Sequence, residues 1–304
     1  MLDALRQRET AGQPIRIALV GAGSMGLGIA WQVGRTPGMR LVSIADVDLD
    51  ASRRAAEAYG RPYRTDESGR MAVGDDLTVV GRDALAQIEA GRGHVDVMVE
   101  ATNTVSFAAE ATLAAIRGGA HVVLMNAEVD LALGPLLQRE AASAGVVVTS
   151  DAGDQHGVLA RMLEEIRLWG FRIVMAGNIK GFLDRYATAE GLLHEAAIRN
   201  LNPIQCCAYT DGSKLGVEMA IISNATGLVP WVPGMEGPAA VDVHEVFERF
   251  DFDKYGERGV VDYLLGAQPG GGVVVVGHCD DPLQASYLQY YKMGMGPYYL
   301  FYRP

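Results

Sequence analysis

Three glycines follow the first apolar segment of the chain, in the sequence GAGSMG (21–26). Gly21 permits a tight turn at the end of a strand, and Gly23 lets the backbone approach a pyrophosphate without a side chain in between. Gly26 lets the next helix pack close to a sheet, and the N-terminus of that helix offers free N–H groups to phosphates. The pattern favours a dinucleotide-binding turn over a strand–helix turn without a ligand. The expected cofactor-binding residues of this turn are Gly21, Gly23, Ser24, Met25 and Gly26.

Asp46 lies twenty residues after Gly26, at the end of the second apolar segment, 41–45. A carboxylate at this strand end can hold both hydroxyls of a ribose, and it repels a 2′-phosphate. The acid therefore strengthens the prediction of nucleotide binding and favours NAD over NADP. Arg53 and Arg54 follow within two helical turns, so NADP stays open as the alternative cofactor.

Two lysines lie in segments where they could serve carbonyl chemistry. Hydride transfer to a carbonyl requires a hydride donor, a proton source and a positive charge that stabilises the developing alkoxide. A lysine supplies the last two, and the candidates are Lys214 in DGSKLG and Lys180 in GNIKG. Asp211 could orient Lys214 or share its proton. From the residues alone, an ion pair on a helix end explains Lys214 and a surface turn explains Lys180.

Polar residues also follow two further apolar segments. Asn126 and Glu128 could bind substrate hydroxyls, and Glu128 could act as an acid–base group, whereas helix capping explains Asn126 equally well. Asp151, Asp154 and His156 form an acid–acid–histidine group that could hold a divalent metal. Capping of the next helix by the two aspartates is the simpler interpretation. A divalent metal is therefore considered, but no metal site is predicted.

The arrangement of apolar segments predicts two domains. Strands alternate with helices of ten to fourteen residues through 15–152, which is typical of a parallel, doubly wound sheet of the Rossmann type. VDVMVEAT (95–102) is a buried strand of this sheet, and ligands bind where such strands end. Residues 1–13 are predicted as a polar leader, and 61–83 as a loop with one short strand near 78–80. Ala101, Thr102 and Asn103 are therefore expected at the cofactor.

The regular alternation of strands and helices ends after residue 152, and the remaining chain predicts an α+β domain. A helix and the strand FRIVMAGNIKGF come first, and a second helix at 211–227 is followed by a loop rich in proline and glycine. We predict a Rossmann dinucleotide-binding domain at 1–152 and, at 153–304, an α+β substrate-binding and catalytic domain that also serves dimerisation.

The composition excludes several classes of protein. The net charge is −11, and no block of lysine or arginine stands out, which argues against binding to nucleic acid or an anionic membrane. The N-terminal residues lack the apolar core of a signal peptide, and the apolar runs are too short to span a membrane. Three cysteines without CxxC spacing argue against a disulfide framework. A reducing compartment, the cytoplasm, is expected.

Several segments resemble known oxidoreductases. HVVLMNAEVDLA (121–132), VVVTSDAGDQHGV (146–158) and DGSKLGVEMA (211–220) are similar to segments of homoserine dehydrogenase. AGNIKGFLDRYAT, DGSKLGVEMA and MGMGPYYLFYRP resemble more closely a homoserine dehydrogenase-like branch that contains the second type of 1-deoxyxylulose-5-phosphate reductoisomerase. The resemblance covers nearly the whole chain. It also implies a further segment beyond Pro304, which is either absent from the protein or missing from this chain.

The resemblance assigns roles to residues of both domains. It implies that Lys214 is catalytic, with Asp211 beside it, and that Lys180 lies near the nicotinamide and the substrate. Glu128 stands where homoserine dehydrogenases carry a lysine, which argues against that activity itself. The residues expected to contact the substrate are Asn126, Glu128, Asp151 and Asn178.

The sequence therefore predicts an NAD(P)-dependent oxidoreductase that acts on a small polar keto or hydroxy compound, such as a sugar phosphate or a polyol. Homoserine dehydrogenase is one alternative. A protein that senses NAD(P) without catalysis is another. A small-molecule substrate and a homodimer or higher homo-oligomer are expected, without nucleic-acid or membrane partners.

Overall fold

The computed structural model describes residues 1–66, 77–199 and 201–304. The chain divides into two compact units, Met1–Asp151 and Ala152–Pro304. The sequence places the division one residue later. Part of the predicted loop at 61–83 lies outside the described residues.

The first unit contains a seven-stranded sheet in the order β3-β4-β2-β1-β5-β6-β7. All of its strand pairs are parallel. The strand order reverses between β1 and β5, as in a doubly wound fold, so the predicted Rossmann architecture is confirmed. The strands are β1 (Ile15–Val20), β2 (Met39–Ala45), β3 (Tyr63–Thr65), β4 (Thr78–Gly81), β5 (Val97–Glu100), β6 (His121–Leu124) and β7 (Val148–Ser150).

Helices cover both faces of this sheet because its strands are apolar on both sides. In β1, Ile17 and Leu19 belong to one apolar cluster, whereas Ala18 and Val20 belong to the other. Alternate side chains point to opposite faces of a strand, so the continuous apolar run fills two cores. The predicted polar leader forms helix α1 and buries no residue. The helices of the first unit are α1 (Leu2–Thr10), α2 (Ser24–Arg35), α3 (Leu49–Tyr59), α4 (Ala84–Ala90), α5 (Val105–Arg117) and α6 (Ala127–Ala144).

The second unit contains a four-stranded mixed sheet in the order β11-β10-β8-β9. β10 pairs antiparallel with both β8 and β11, whereas β8 and β9 are parallel. This is the α+β arrangement that the sequence predicts. Its elements are α7 (Gln155–Leu168), β8 (Arg172–Lys180), α8 (Leu193–Ile198), α9 (Pro203–Asp211), α10 (Ser213–Thr226), α11 (Val246–Arg249), β9 (Val260–Leu265), β10 (Gly271–His278), α12 (Pro282–Tyr290) and β11 (Tyr298–Arg303), with short 3-10 helices at Val243–Glu245 and Phe252–Tyr255.

Both faces of the second sheet are buried. Leu163 of α7 and Met219 of α10 pack with Val275 on one face. On the other face Val246 and Phe252 pack with Val274. β8 and β10 are therefore covered on two sides, which explains why β8 is buried along nearly its whole length.

A buried carboxylate of β9 fixes the loop that follows α10. Asp262 of β9 is fully buried, and its carboxylate accepts hydrogen bonds from the backbone N–H groups of Glu236, Gly237 and Tyr263 at 2.8–2.9 Å. Three backbone N–H donors thus depend on one buried side chain.

No helix in the described part of the chain is long and apolar enough to cross a membrane.

We expect Asp262→Ala to lower the free energy of unfolding by about 3 kcal/mol, because three backbone N–H groups lose their buried acceptor. Urea denaturation followed by circular dichroism measures this change. Asp251→Ala is the matched control, since Asp251 is exposed and makes no capping hydrogen bond; its effect should stay within about 0.5 kcal/mol. Equal effects of the two substitutions would contradict this role of Asp262.

Candidate functional site

Lys214 lies in the first turn of α10 and is surrounded by polar side chains. The helix follows Gly212, whose φ of 92° lets the chain turn sharply out of α9. The Lys214 Nζ lies 2.8 Å from Asp154 Oδ2 and 3.5 Å from Glu218 Oε1. It also donates to the Tyr209 hydroxyl at 3.2 Å. The ammonium group is thus held by two carboxylates and one phenol.

Tyr209 of α9 links the two lysines that the sequence singles out. Its ring centroid lies 4.5 Å from the Lys214 Nζ, a distance at which a cation and an aromatic ring attract each other. Its backbone carbonyl accepts a hydrogen bond of 2.6 Å from the Lys180 Nζ. Lys180 ends β8 and Lys214 lies in the first turn of α10, so the structure brings the two predicted lysines into contact with one residue.

The Glu218 carboxylate accepts a hydrogen bond from the side-chain amide of Asn178. It is 1% exposed, and its Oε2 accepts a hydrogen bond of 2.9 Å from Asn178 Nδ2. The same amide nitrogen donates to Gln155 Oε1 at 2.6 Å. Asn178 is fully buried in β8. Its amide supports Glu218, and the predicted contact of Asn178 with a substrate stays a prediction.

The charges of this cluster shift its pKa values in different directions. Burial lowers the pKa of Lys214, but the hydrogen bond and charge of Asp154 outweigh it, so the net pKa is raised. Burial and the charge of Asp154 raise the pKa of Glu218 to about 7. Burial lowers the pKa of Lys180, and the charge of Lys214 adds to this effect. Lys214 is therefore a stable cation, whereas Lys180 releases its proton more readily than an ordinary lysine.

The prediction that Asp211 orients Lys214 is wrong. The Asp211 carboxylate accepts from the backbone N–H of Ser213 at 2.8 Å and lies 3.8 Å from Cys207 Sγ. It therefore caps the junction between α9 and α10, while Lys214 turns towards Asp154, sixty residues earlier in the chain. The short spacing in sequence suggested Asp211 as the partner of Lys214, whereas the tertiary fold brings Asp154 to it.

Asp154, His156 and Glu218 form a set with metal-ligating atoms within 4.8 Å of one another. Two carboxylates and an imidazole suit a divalent cation. The Lys214 ammonium already lies against both carboxylates, and Asp154 also accepts from the N–H of Gln155 at the start of α7. An ion pair and a helix cap thus account for this arrangement. The group contains Glu218 in place of the Asp151 that the sequence suggested.

The glycine turn of the first unit has the tight geometry that the sequence predicts. Gly21 has a φ of 93°, and a Cβ there would lie 2.6 Å from the carbonyl carbon and oxygen of Ala101. A Cβ on Gly26 would lie 2.1 Å from the Gly21 oxygen. At Gly23, by contrast, no atom of the described residues lies within 4 Å of the Cβ position. Two glycines therefore permit close packing, and Gly23 leaves open space at the N-terminus of α2, which begins at Ser24 and Met25.

Asp46 lies directly after β2, and its carboxylate faces the glycine turn. Its Oδ2 accepts from the N–H of Ala22 at 2.7 Å, and its Oδ1 accepts from the N–H of Asp48 at 2.9 Å. The two nearby arginines that could favour NADP form ion pairs with Asp50 and Asp48 instead.

The remaining predicted residues of the first unit lie at strand ends. Ala101, Thr102 and Asn103 follow β5. Asn126 is the N-cap of α6, and its Oδ1 accepts from the N–H of Val129 at 3.4 Å, so the capping interpretation of Asn126 is confirmed. Glu128 is exposed in the first turn of α6, and Asp151 is 9% exposed after β7.

Three residues of this cluster are not among those predicted from the sequence: Tyr209, Glu218 and Gln155. Glu218 follows Lys214 by four residues on the same helix, and this spacing alone indicates an ion pair. Tyr209 and Gln155 carry no such signal, because their contacts depend on how α9 and α7 lie against β8 and α10.

Comparisons with known proteins cover both units. The family model described as oxidoreductase DRL, catalytic domain, matches residues 153–304. No curated protein matches the chain in sequence.

Solved structures match at low identity. The 1-deoxy-D-xylulose 5-phosphate reductoisomerase from Zymomonas mobilis, in complex with NADPH, is 18% identical over 70% of this chain and 58% of that chain, with a TM-score of 0.49. A probable dehydrogenase from Thermotoga maritima is 16% identical over 86% of this chain and 72% of that chain, with a TM-score of 0.48. An NAD binding oxidoreductase from Klebsiella pneumoniae is 17% identical over 56% and 43%, with a TM-score of 0.40. The chain covers 43–49% of the length of the first structures that it matches.

Two glycine substitutions separate packing from ligand binding in the glycine turn. We expect Gly21→Ala to lower the free energy of unfolding by about 3 kcal/mol, since a methyl group there meets backbone atoms and strains a positive φ. Gly23→Ala should change stability by less than about 1 kcal/mol and weaken NADH binding about tenfold or more, because its methyl group points to where a pyrophosphate would lie. Thermal unfolding and a fluorescence titration with NADH measure the two effects. Unchanged NADH affinity in Gly23→Ala would contradict the assignment of this turn to phosphate binding.

Proposed function

This chain belongs to the oxidoreductase DRL family, and from that premise we propose that it transfers hydride between NAD(P) and a small polar keto or hydroxy compound. A sugar phosphate or a polyol is the proposed substrate class. The observation that carries the proposal is the pair of lysines that contact Tyr209. Lys214 is held by Asp154 and Glu218, Lys180 is held by the Tyr209 carbonyl, and the two pKa values are shifted in opposite directions.

Lys214 is proposed to stabilise the negative charge that develops on the carbonyl oxygen. Its raised pKa keeps it cationic throughout the physiological range. A fixed positive charge in a partly desolvated site stabilises a developing alkoxide without reorganisation during the reaction. Asp154 and Glu218 hold the ammonium in place, and Asn178 in turn holds Glu218. These three are positioning residues.

Lys180 is proposed to exchange the proton with the carbonyl oxygen. A general acid works best when its pKa lies near the working pH, and the lowered pKa of Lys180 moves it in that direction. The Tyr209 carbonyl fixes its Nζ by a hydrogen bond of 2.6 Å. One lysine thus supplies charge and the other supplies a proton.

The cofactor is proposed to bind in the first unit, along the Gly21–Gly26 turn and the ends of β1, β2 and β5. The nicotinamide supplies the hydride when it is bound. Asp46 would hold the ribose hydroxyls, and its carboxylate favours NAD over a 2′-phosphorylated cofactor. The backbone of 101–103, next to Gly21, would complete the site.

We expect a carbonyl compound from a small panel to be reduced with oxidation of NADH or NADPH, followed as loss of absorbance of the reduced nicotinamide. The panel contains 1-deoxyxylulose 5-phosphate, aspartate semialdehyde and several keto sugars, so that the homoserine dehydrogenase alternative is tested in the same assay. Lys214→Gln should lower kcat by a factor of about 10³, as expected for loss of one electrostatic contact to the transition state. Lys214→Arg should retain more activity than Lys214→Gln because it keeps the charge.

Lys254→Gln is the matched control for this assay. Lys254 also pairs with a glutamate, Glu236, at 2.9 Å and lies 5.0 Å from a tyrosine ring centroid, but it is remote from the lysine pair in sequence and contacts. Its turnover should equal that of the unsubstituted protein. Full turnover in Lys214→Gln would overturn the role of Lys214, and bound cofactor without turnover of any carbonyl would favour the sensor alternative.

The pH dependence of kcat tests Lys180 separately. In the direction of reduction Lys180 must be protonated, so kcat should fall as the pH rises through its pKa, which lies below the usual 10.5. In Lys180→Arg this alkaline decline should disappear, because a guanidinium keeps its proton to about pH 12 or above. An alkaline decline that is unchanged in Lys180→Arg would assign the titration to another group.

A further inference from the structure

Glu100 occupies the last position of β5, at the centre of the first sheet. It lies in register with Val20 of β1 and Leu124 of β6. β1 and β5 are the strands between which the strand order reverses, and a dinucleotide bound to such a sheet crosses it outside their carboxyl ends. Glu100 thus lies beneath the position where the proposed cofactor would cross.

One hydrogen bond connects Glu100 to the glycine turn. The Glu100 Oε1 accepts from the N–H of Thr102 at 2.8 Å. The peptide between Ala101 and Thr102 lies directly against Gly21, since a Cβ on Gly21 would be 2.6 Å from Ala101 and 2.8 Å from the Thr102 nitrogen. The Glu100 side chain therefore fixes the backbone against which Gly21 packs.

The second oxygen of the same carboxyl is buried without a hydrogen-bond partner among the described residues. The side chain is 0% exposed. A buried carboxylate oxygen without a donor is unfavourable when ionised, and the neutral acid relieves this cost. Burial, together with the charge of Glu128, raises the pKa of Glu100 to about 7 although Thr102 opposes the shift.

Few charged groups face this carboxyl. Its neighbours on β1 and β6 are apolar, and the buried side of α5 carries Ala108, Ala111 and Thr112. α6 contributes Glu128 in its first turn, which acts on Glu100 as a like charge. Glu110 of α5 is exposed.

We propose that Glu100 is a positioning residue that makes dinucleotide affinity depend on pH, with the neutral acid as the form that binds more tightly. Because the pyrophosphate is anionic, an ionised Glu100 beneath it is repulsive, whereas the neutral acid still accepts the Thr102 hydrogen bond. Affinity should therefore be greatest below about pH 7 and decline above it. This inference rests on the cofactor site proposed above.

The experiment measures the Kd for NADH by fluorescence titration of the whole chain, without substrate, from pH 6 to pH 8.5. NADH is chosen because NADPH carries a 2′-phosphate that itself titrates at about pH 6. We expect the Kd of the unsubstituted protein to rise about tenfold across this range, which corresponds to a one-unit difference in the pKa of Glu100 between the free and bound forms.

Glu100→Gln keeps an acceptor for Thr102 but cannot ionise. Its Kd should lie within about twofold of the unsubstituted value at pH 6 and should be constant to pH 8.5. Glu110→Gln removes the same charge from the exposed face of α5 and should leave the pH dependence unchanged. Glu128→Gln should lower the pKa of Glu100 and move the decline in affinity to lower pH, which provides a second test that leaves the buried side chain in place.

A Glu100→Gln variant that follows the unsubstituted pH dependence would overturn the inference, and so would a constant Kd in the unsubstituted protein. An effect on Kd that is equal at every pH would reduce Glu100 to a structural role. If the unsubstituted protein bound no NADH at any pH, the proposed cofactor site would itself be wrong. The outcomes for the site and for Glu100 are thus distinguishable.

Discussion

The second unit depends on a partly buried ammonium between two carboxylates. Removing a charge from water is costly unless a partner of opposite sign lies close by, and Lys214 has two such partners in Asp154 and Glu218. Glu218 is buried and in turn requires the Asn178 amide. The charge thus determines which residues of α7, β8 and α10 must meet. The covered faces of the sheet give these elements their rigid support.

In the first unit, close packing of backbone groups positions the glycine turn. Gly21 and Gly26 allow the turn after β1 to touch the end of β5 and the start of α2, and no side chain fits in these contacts. Asp46 and Glu100 each accept a backbone N–H beside this turn. In the proposed cofactor site, precise placement of main-chain donors matters because helix N-termini bind phosphates through N–H groups. The first unit therefore relies on fixed backbone dipoles, and the second unit relies on fixed charges.

Local patterns in the sequence were sufficient for the fold and for part of the site. Continuous apolar runs between helical segments predict the parallel sheet, and glycine spacing predicts the turn at Gly21 because both depend on neighbouring residues. The oxidoreductase class is confirmed by the family match over 153–304. The partner of Lys214 was predicted wrongly as Asp211, because the true partner, Asp154, is brought in by α7. Tyr209 and Gln155 could not be found for the same reason: no periodicity encodes which helices meet.

Tyr209 has a consequence for how the lysine pair would respond to motion. One residue of α9 contacts Lys214 through its ring and hydroxyl, and Lys180 through its backbone carbonyl. A displacement of α9 would therefore change the contacts of both lysines at once. The nine-residue helix therefore contacts both cations, and the proposed charge and proton donors would be repositioned together.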